Sequence, residues 1–222
     1  MSRALFLFLI GLGGAAILIS LGIWQVQRLA WKQGVIADIN ARIVAAPVDL
    51  PPSPDPVTDS YLPVTVEGTF GARYLRVLVS QKDIGAGYRI ISPMTVGDRR
   101  IMIDRGFIST DQVLAAAPVT ATTVVGNLQW PQETDGYTPA PDMAGNIWFA
   151  RDVDAMAAAL DTQAILVVAR AVADTTAQPT PMPVDTTRIP NDHLQYAITW
   201  FSLAAIWAAM SLYFVRRRAL SS

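Results

Sequence analysis

No cysteine occurs among the 222 residues, and histidine occurs once, at His193. The first absence excludes disulfides, CxxC redox chemistry and thiolate metal sites, and leaves no trace by which an oxidising compartment could be recognised. The second confines imidazole chemistry to one position. Charge is scarce as well: 16% of the residues are Asp, Glu, Lys or Arg, and the formal net charge is −1. A chain without a basic surface has no footprint for nucleic acid, so that class of partner is set aside. The seven methionines are too dispersed for a copper-handling tract. No internal repeat is visible.

What the chain does contain is two long uncharged runs, one at each end. From Ala4 to Val26 no charged residue occurs, and at about 1.5 Å per helical residue this length crosses a hydrocarbon core of about 30 Å. Leu194 to Val215 does the same. A cleaved signal peptide is the competing reading of the first run, since Arg3 precedes it. The run is longer than an h-region of roughly 7–15 residues, however, and no small-x-small site follows, so an uncleaved anchor is expected. Arg216, Arg217 and Arg218 end the second run and place the carboxyl end in the cytoplasm by the positive-inside rule. Two spans return the amino end to that side. Arg28 and Lys32 oppose this mildly, but they open a loop of about 165 residues, and long loops translocate largely regardless of charge. The expected address is a bacterial inner (plasma) membrane, with both termini cytoplasmic and the central domain periplasmic.

Between the spans, residues 27–60 read as a stalk helix followed by a linker holding Pro47, Pro51, Pro52, Pro54 and Pro56. Residues 61–173 carry strand periodicity at 64–67, 74–80, 88–96, 100–108, 122–130, 147–151 and 164–173, separated by Gly, Pro or Asp. The first of these should stop at Gly68, and Arg105-Gly106 should mark a strand end with a turn. One short helix is expected at 153–160 with Asp152 as its N-cap. A Pro/Thr-rich linker, residues 174–192, leads to the second span at 193–215 and a tail at 216–222. The expected fold is an α+β membrane protein: transmembrane helices at residues 4–26 and 193–215 bracket a β-rich domain, a small antiparallel barrel or sandwich with one short helix.

The domain offers no catalytic constellation. Its carboxylates, such as Glu67, Asp83, Asp104 and Asp135, lie scattered among turn signals and are not paired at a recognisable spacing. A docking module, not an enzyme, is the expectation. His193 stands apart, because an ionisable ring at the mouth of an apolar span is costly unless a partner or metal offsets the cost.

Four segments carry a resemblance. Gly22-Ile23-Trp24-Gln25-Val26-Gln27-Arg28-Leu29-Ala30-Trp31-Lys32 resembles the GxWQxxRxxWK segment that ends the first span in the Surfeit-locus cytochrome oxidase assembly family. Tyr88 to Met94 is similar to its Gly-Tyr-x-Val-x-Thr-Pro strand, and Ile103 to Ile108 to its Val-Asn-Arg-Gly-Trp-Val. Asn191 to Phe201 resembles its Asn-Asn-His-Leu-x-Tyr-Ala-x-Thr-Trp-Phe. Asp104, Phe107 and Asp192 depart from those patterns. The resemblance implies a chaperone for cytochrome c oxidase assembly in the respiratory chain, holding or delivering haem a to the catalytic subunit of a haem-copper terminal oxidase. Haem a synthase or other assembly factors would be further partners, beside membrane lipid.

On a helix, His193, Tyr196, Ala197, Trp200, Ala204 and Trp207 share a stripe against which a porphyrin edge could lie, with the His193 imidazole as axial ligand to iron. The competing reading makes the tryptophans belt residues and the alanines packing contacts with the first span. Gly11, Ala15, Leu18 and Gly22 would form the opposing wall. Trp24 completes the candidate cofactor-binding set at the outer interface, and Arg28 there suits a haem propionate, while Lys32 could equally snorkel to lipid phosphate. No second axial ligand is evident in the spans. Two functions therefore stay open: a haem-binding assembly chaperone, and a docking protein that stabilises oxidase subunits or intermediates without haem.

Overall fold

The computed structural model describes residues 3–81, 85–117, 120–173, 179–187 and 189–219. The expectations at Asp83, at residues 174–178 of the second linker and at the last three tail residues lie outside this set, as do the side chains of Arg3 and Arg218. Two compact units result: Met1–Asp38 with Thr186–Ser222, and Ile39–Asp185.

The first unit holds the apolar helices. Helix α1 (Arg3–Ile43) is one uninterrupted helix of 41 residues, so the span and the stalk are continuous, and α3 runs from His193 to Ala219. Both are long and apolar enough to cross a membrane. Only 17% and 6% of their most apolar windows are buried, which argues against core helices of a soluble protein. The two run antiparallel along a seam of small residues. A Cβ on Gly22 would meet the Phe201 ring at 2.6 Å, one on Gly14 the Trp207 ring at 2.4 Å and one on Gly11 the Cβ of Ser211 at 2.7 Å. Glycine at these positions is what lets the backbones approach. The Trp207 indole also donates from Nε1 to the Gly11 carbonyl at 3.0 Å, which satisfies a polar group in an apolar setting.

The second unit is built on one eight-stranded sheet, ordered β1 (Val48–Asp49), β2 (Pro63–Phe70), β6 (Thr122–Leu128), β8 (Leu166–Val172), β5 (Arg99–Ser109), β4 (Gly85–Val96), β3 (Leu75–Gln81) and β7 (Ile147–Trp148). An additional antiparallel pairing, Thr69↔Thr95 and Phe70↔Met94, joins β2 to β4 and completes a circuit of pairings through β2, β6, β8, β5 and β4. All five strands feed one apolar cluster that includes Val64, Met94, Ile103, Val124 and Val167. The opposite faces of β5 and β8 supply Met102, Leu166 and Val168 to a second cluster beneath helix α2 (Val153–Leu160). Burial on both faces explains why Ile101–Ile108 and Leu166–Ala169 read as apolar runs without clean alternation. Helix α2 is the short helix expected from the alanine-rich run, and Asp152 caps it by accepting from the Ala155 amide at 3.0 Å.

Three features differ from expectation. The sheet is mixed and not antiparallel: β1–β2, β3–β7 and β5–β8 pair in parallel. The chain between β6 and β8, including α2, is long enough to return β8 in the direction of β5, which no residue periodicity encodes. Gly68 does not end β2 but lies within it, since a Cβ there would meet the Thr95 carbonyl oxygen at 2.1 Å; glycine marks the crossing of β2 over β4. Arg105-Gly106 is not a strand end with a turn either. Both residues sit inside β5 at a register shift, and Gly106, at φ +112°, leaves room for the Thr180 carbonyl, which accepts from the Phe107 amide at 2.7 Å.

Candidate functional site

His193 opens α3, and the helix starts there because the Tyr196 amide donates to the Asp192 carbonyl at 3.1 Å. The imidazole is half-buried and its Nδ1 lies 2.8 Å from Oε1 of Gln25 on α1. An amide oxygen only accepts, so Nδ1 is the donor in this contact, and in the neutral tautomer the lone pair then lies on Nε2. Gln25 is itself buried at 8% exposure and follows Gly22 along the seam.

The other expected residues divide between two faces. Ala197 and Ala204 are buried on the seam, as packing between the helices requires, and Trp200 is half-buried. Tyr196 is 55% exposed and points away from the seam. Trp24, 48% exposed, lies on the outer face of α1 with Arg28, whose guanidinium sits 5.8 Å from the Trp24 ring centroid and 5.1 Å from that of Trp31. Spacing of i, i+4 and i+7 puts these three on one stripe, a cation between two indoles. Lys32 is half-buried one turn beyond Arg28. The structure thus brings His193 to Gln25 and Arg28 to Trp24, as two separate pairs. Among the described residues, no three His, Asp or Glu side chains converge as a metal site.

The domain hides a charge network that spacing did not reveal. Asp104, fully buried on β5, accepts from Arg89 Nη1 at 2.5 Å and from the Gly106 amide at 3.1 Å, and it faces Arg151 Nη1 at 3.5 Å. Arg151 forks onto Glu133, with Nη2–Oε1 at 2.5 Å and Nε at 3.2 Å from both oxygens. Its Nη1 also donates to Gln129 Oε1 at 2.9 Å. Two cations and two anions cancel. Burial pushes the Glu133 carboxyl up, but hydrogen bonds and the charge of Arg151 outweigh it and hold the group below its ordinary value. For Arg151, burial works against the charged form, and the two carboxylates reverse the effect. Asp104 is therefore a strand-interior member of an ion network and not a turn residue.

Residues 12–205 match the sequence profile of the SURF1 family. The chain belongs to the SURF1 family. A SURF1-like protein of Drosophila melanogaster is 35% identical over 220 residues, covering 83% of this chain and 69% of the relative. Surfeit locus protein 1 of Homo sapiens is 28% identical over 211 residues, 83% and 69% of the two chains. A SURF1-like protein of the bacterium Rickettsia felis is 28% identical over 218 residues, 91% and 92%.

Sequence reasoning placed Gln25 in the first of the four segments but missed it as the partner of the histidine. The available signal was an uncharged amide next to Trp24 on the face that continues Gly11, Ala15, Leu18 and Gly22. For the ion network the only signal was an acid inside the apolar run 101–108, where a buried carboxylate demands a cation.

Proposed function

We propose that this SURF1-family chain assists maturation of a haem-copper terminal oxidase by holding haem a as cargo and passing it to the catalytic subunit, with haem a synthase or other assembly factors as upstream partners. The observation that carries the reading is the His193–Gln25 contact: a buried amide fixes the tautomer, so Nε2 is presented as an available donor for iron. The residues fit such a group as one-sided ligation, and a single nitrogen donor suits cargo that has to leave again. Haem supplies only the iron that Nε2 would ligate. Arg28, planar and held between Trp24 and Trp31, offers a fork for a propionate. On this reading the chain is not an enzyme. It spans a bacterial inner membrane twice, with both termini cytoplasmic and the sheet domain periplasmic, docked on the oxidase subunit.

The test is the optical spectrum of the full chain purified in detergent from cells that make haem a. Wild type should carry haem a, His193→Ala should lose it at unchanged expression, and His193→Met, which leaves a thioether, should keep part of it. Gln25→Leu should weaken retention about 10- to 100-fold, the usual effect of removing the group that orients a ligating imidazole. Equal haem and the same Soret position in wild type and His193→Ala would overturn the ligand role and leave the docking function in its place.

A further inference from the structure

The apolar helix pair holds two features that the His193–Gln25 contact does not use. One is a groove of about 300 Å³ between α1 and α3, lined by the i, i+3, i+4, i+7 face that runs from Phe8 to Ala15 and by the same face from Ala208 to Val215. Gly11, Ala15, Ala208 and Ser211 bring little or no side chain to it, while Leu12 and Leu212 stand beside the trough, each about half exposed. The other feature is Asn191. Its Oδ1 is buried two residues before the imidazole and has no hydrogen-bond partner among the described residues. A buried acceptor without a donor is costly, and such atoms are rare in folded proteins.

The groove continues inward the same seam that carries Gln25, Gly22 and Gly11. From Gln25 to Ala15 is about 15 Å along α1, and from His193 to Ala208 about 22 Å along α3, at about 1.5 Å per residue. A molecule held at His193 that met both features would need a hydrogen-bond donor beside its ring and an apolar chain running inward from it. Haem a has both on one substituent, a hydroxyl on the carbon joined to the ring followed by three prenyl units, which when extended reach that far. Its propionates leave the opposite edge of the macrocycle, and Arg28 lies about one helical turn outward of Gln25, so the two edges suit the two directions. An acyl chain of bulk lipid fits the groove alone and brings no donor to Asn191.

We infer that α1 and α3 hold a site for the hydroxyl-bearing prenyl chain of the cargo, with Asn191 Oδ1 accepting from the hydroxyl and the groove at Gly11, Ala15, Ala208 and Ser211 enclosing the chain. The inference rests on the cargo reading above and deepens it: an imidazole ligates any haem, whereas this site selects one. Selection follows because haem b, with a vinyl group at the same position, leaves the Asn191 acceptor unpaired and the groove unfilled.

Titration of the full chain in non-ionic detergent, followed at the Soret band, tests this with haem a, with haem b, and with haem o, which keeps the prenyl chain and lacks the formyl group. Haem a and haem o should bind alike, and at least about tenfold more tightly than haem b. Ala208→Phe fills the groove from an exposed position and should lower haem a affinity about tenfold while leaving haem b unchanged. Partition of the chain into micelles cannot mimic that result, since the variant adds apolar surface. Asn191→Leu removes the acceptor at similar size and should lower haem a affinity about three- to tenfold, again without effect on haem b. Should Asn191→Leu lose haem b as well, the helix pair has been disturbed, and Ala208→Phe decides. Binding of none of the three haems by wild type would overturn the cargo reading itself. Equal affinity for haem a and haem b, haem o behaving as haem b, or undiminished haem a affinity in Ala208→Phe would overturn the prenyl site and leave the cargo reading standing.

Discussion

Replacing Asp104 by Asn isolates the charge of the buried network, because the side chain keeps its shape and one accepting oxygen. Oδ1 can still take the Gly106 amide. Oδ2, however, becomes an amide nitrogen directed at Arg89 Nη1 across what is a 2.5 Å contact, so a donor faces a donor. The network passes from neutral to a net positive charge. Arg151 retains Glu133 and Gln129, and Arg89 retains, among the described residues, the Met182 carbonyl, accepting at 3.2 Å from the same Nη1. Breaking a buried pair by removing one partner costs about 3–5 kcal/mol, and the surviving contacts put this case near the lower end, about 3 kcal/mol. For a domain of this size that corresponds to a fall of roughly 6–12 °C in Tm, read by tryptophan fluorescence of the full chain in detergent. The double change Arg89→Met with Asp104→Leu removes both members and should recover most of the loss, since an apolar pair of similar volume often equals a buried ion pair. A shift below about 2 °C for Asp104→Asn would refute the assignment of charge compensation to this carboxylate.

Glu133 should set part of the acid sensitivity: its folded value lies below the ordinary 4.5, so its contribution is complete above that pH and is lost as pH falls through the folded value. Glu133→Gln should therefore flatten the decline of Tm as pH falls below 4.5, and an unchanged acid limb would count against the Arg151 fork as its cause. At the β2–β4 crossing, Gly68→Val drives a Cβ to 2.1 Å from a backbone oxygen that cannot move aside, and it should abolish folding or cost about 3 kcal/mol or more. Gly97→Ala is the control, with φ +59° and nothing within 4 Å of its Cβ, and should cost only about 1–2 kcal/mol; equal effects in thermal melts would show that crowding at Gly68 is not what the crossing depends on.

The apolar helices and α2 were legible because each is specified locally. Uninterrupted apolar runs define α1 and α3, and an Asp before an alanine-rich run defines α2 to the residue, Val153–Leu160. Strand positions were legible for the same reason, from Val64 to Val172. Strand partners were not. The parallel β5–β8 pairing, Met102↔Leu166 to Asp104↔Val168, joins residues more than sixty positions apart, and only the packed sheet relates them. Glycine misled twice in the same manner: at 68 and 106 it reads as punctuation, yet its role there is to admit a carbonyl from another strand or segment. His193 was found by being the sole imidazole. Its partner Gln25 was not, because pairing residue 25 with residue 193 requires the register of two antiparallel helices, which Gly22–Phe201 and Gly11–Ser211 set.

Asp104, Arg105 and Gly106 show how one short segment can serve the two faces of a strand separately. Strand alternation sends the carboxylate to the α2 side, where Arg89 and Arg151 neutralise it, and the guanidinium to the opposite side, where it stacks on Phe70. Burial there lowers the tendency of Arg105 to stay charged. The two faces should therefore separate by mutation. Asp104→Asn should lower stability by the amount worked above and Phe70→Leu by about 1 kcal/mol, and the double change should lose about the sum in thermal melts. If the double change departed from that sum by more than about 1 kcal/mol, the bulge at Gly106 would be coupling the two faces of β5.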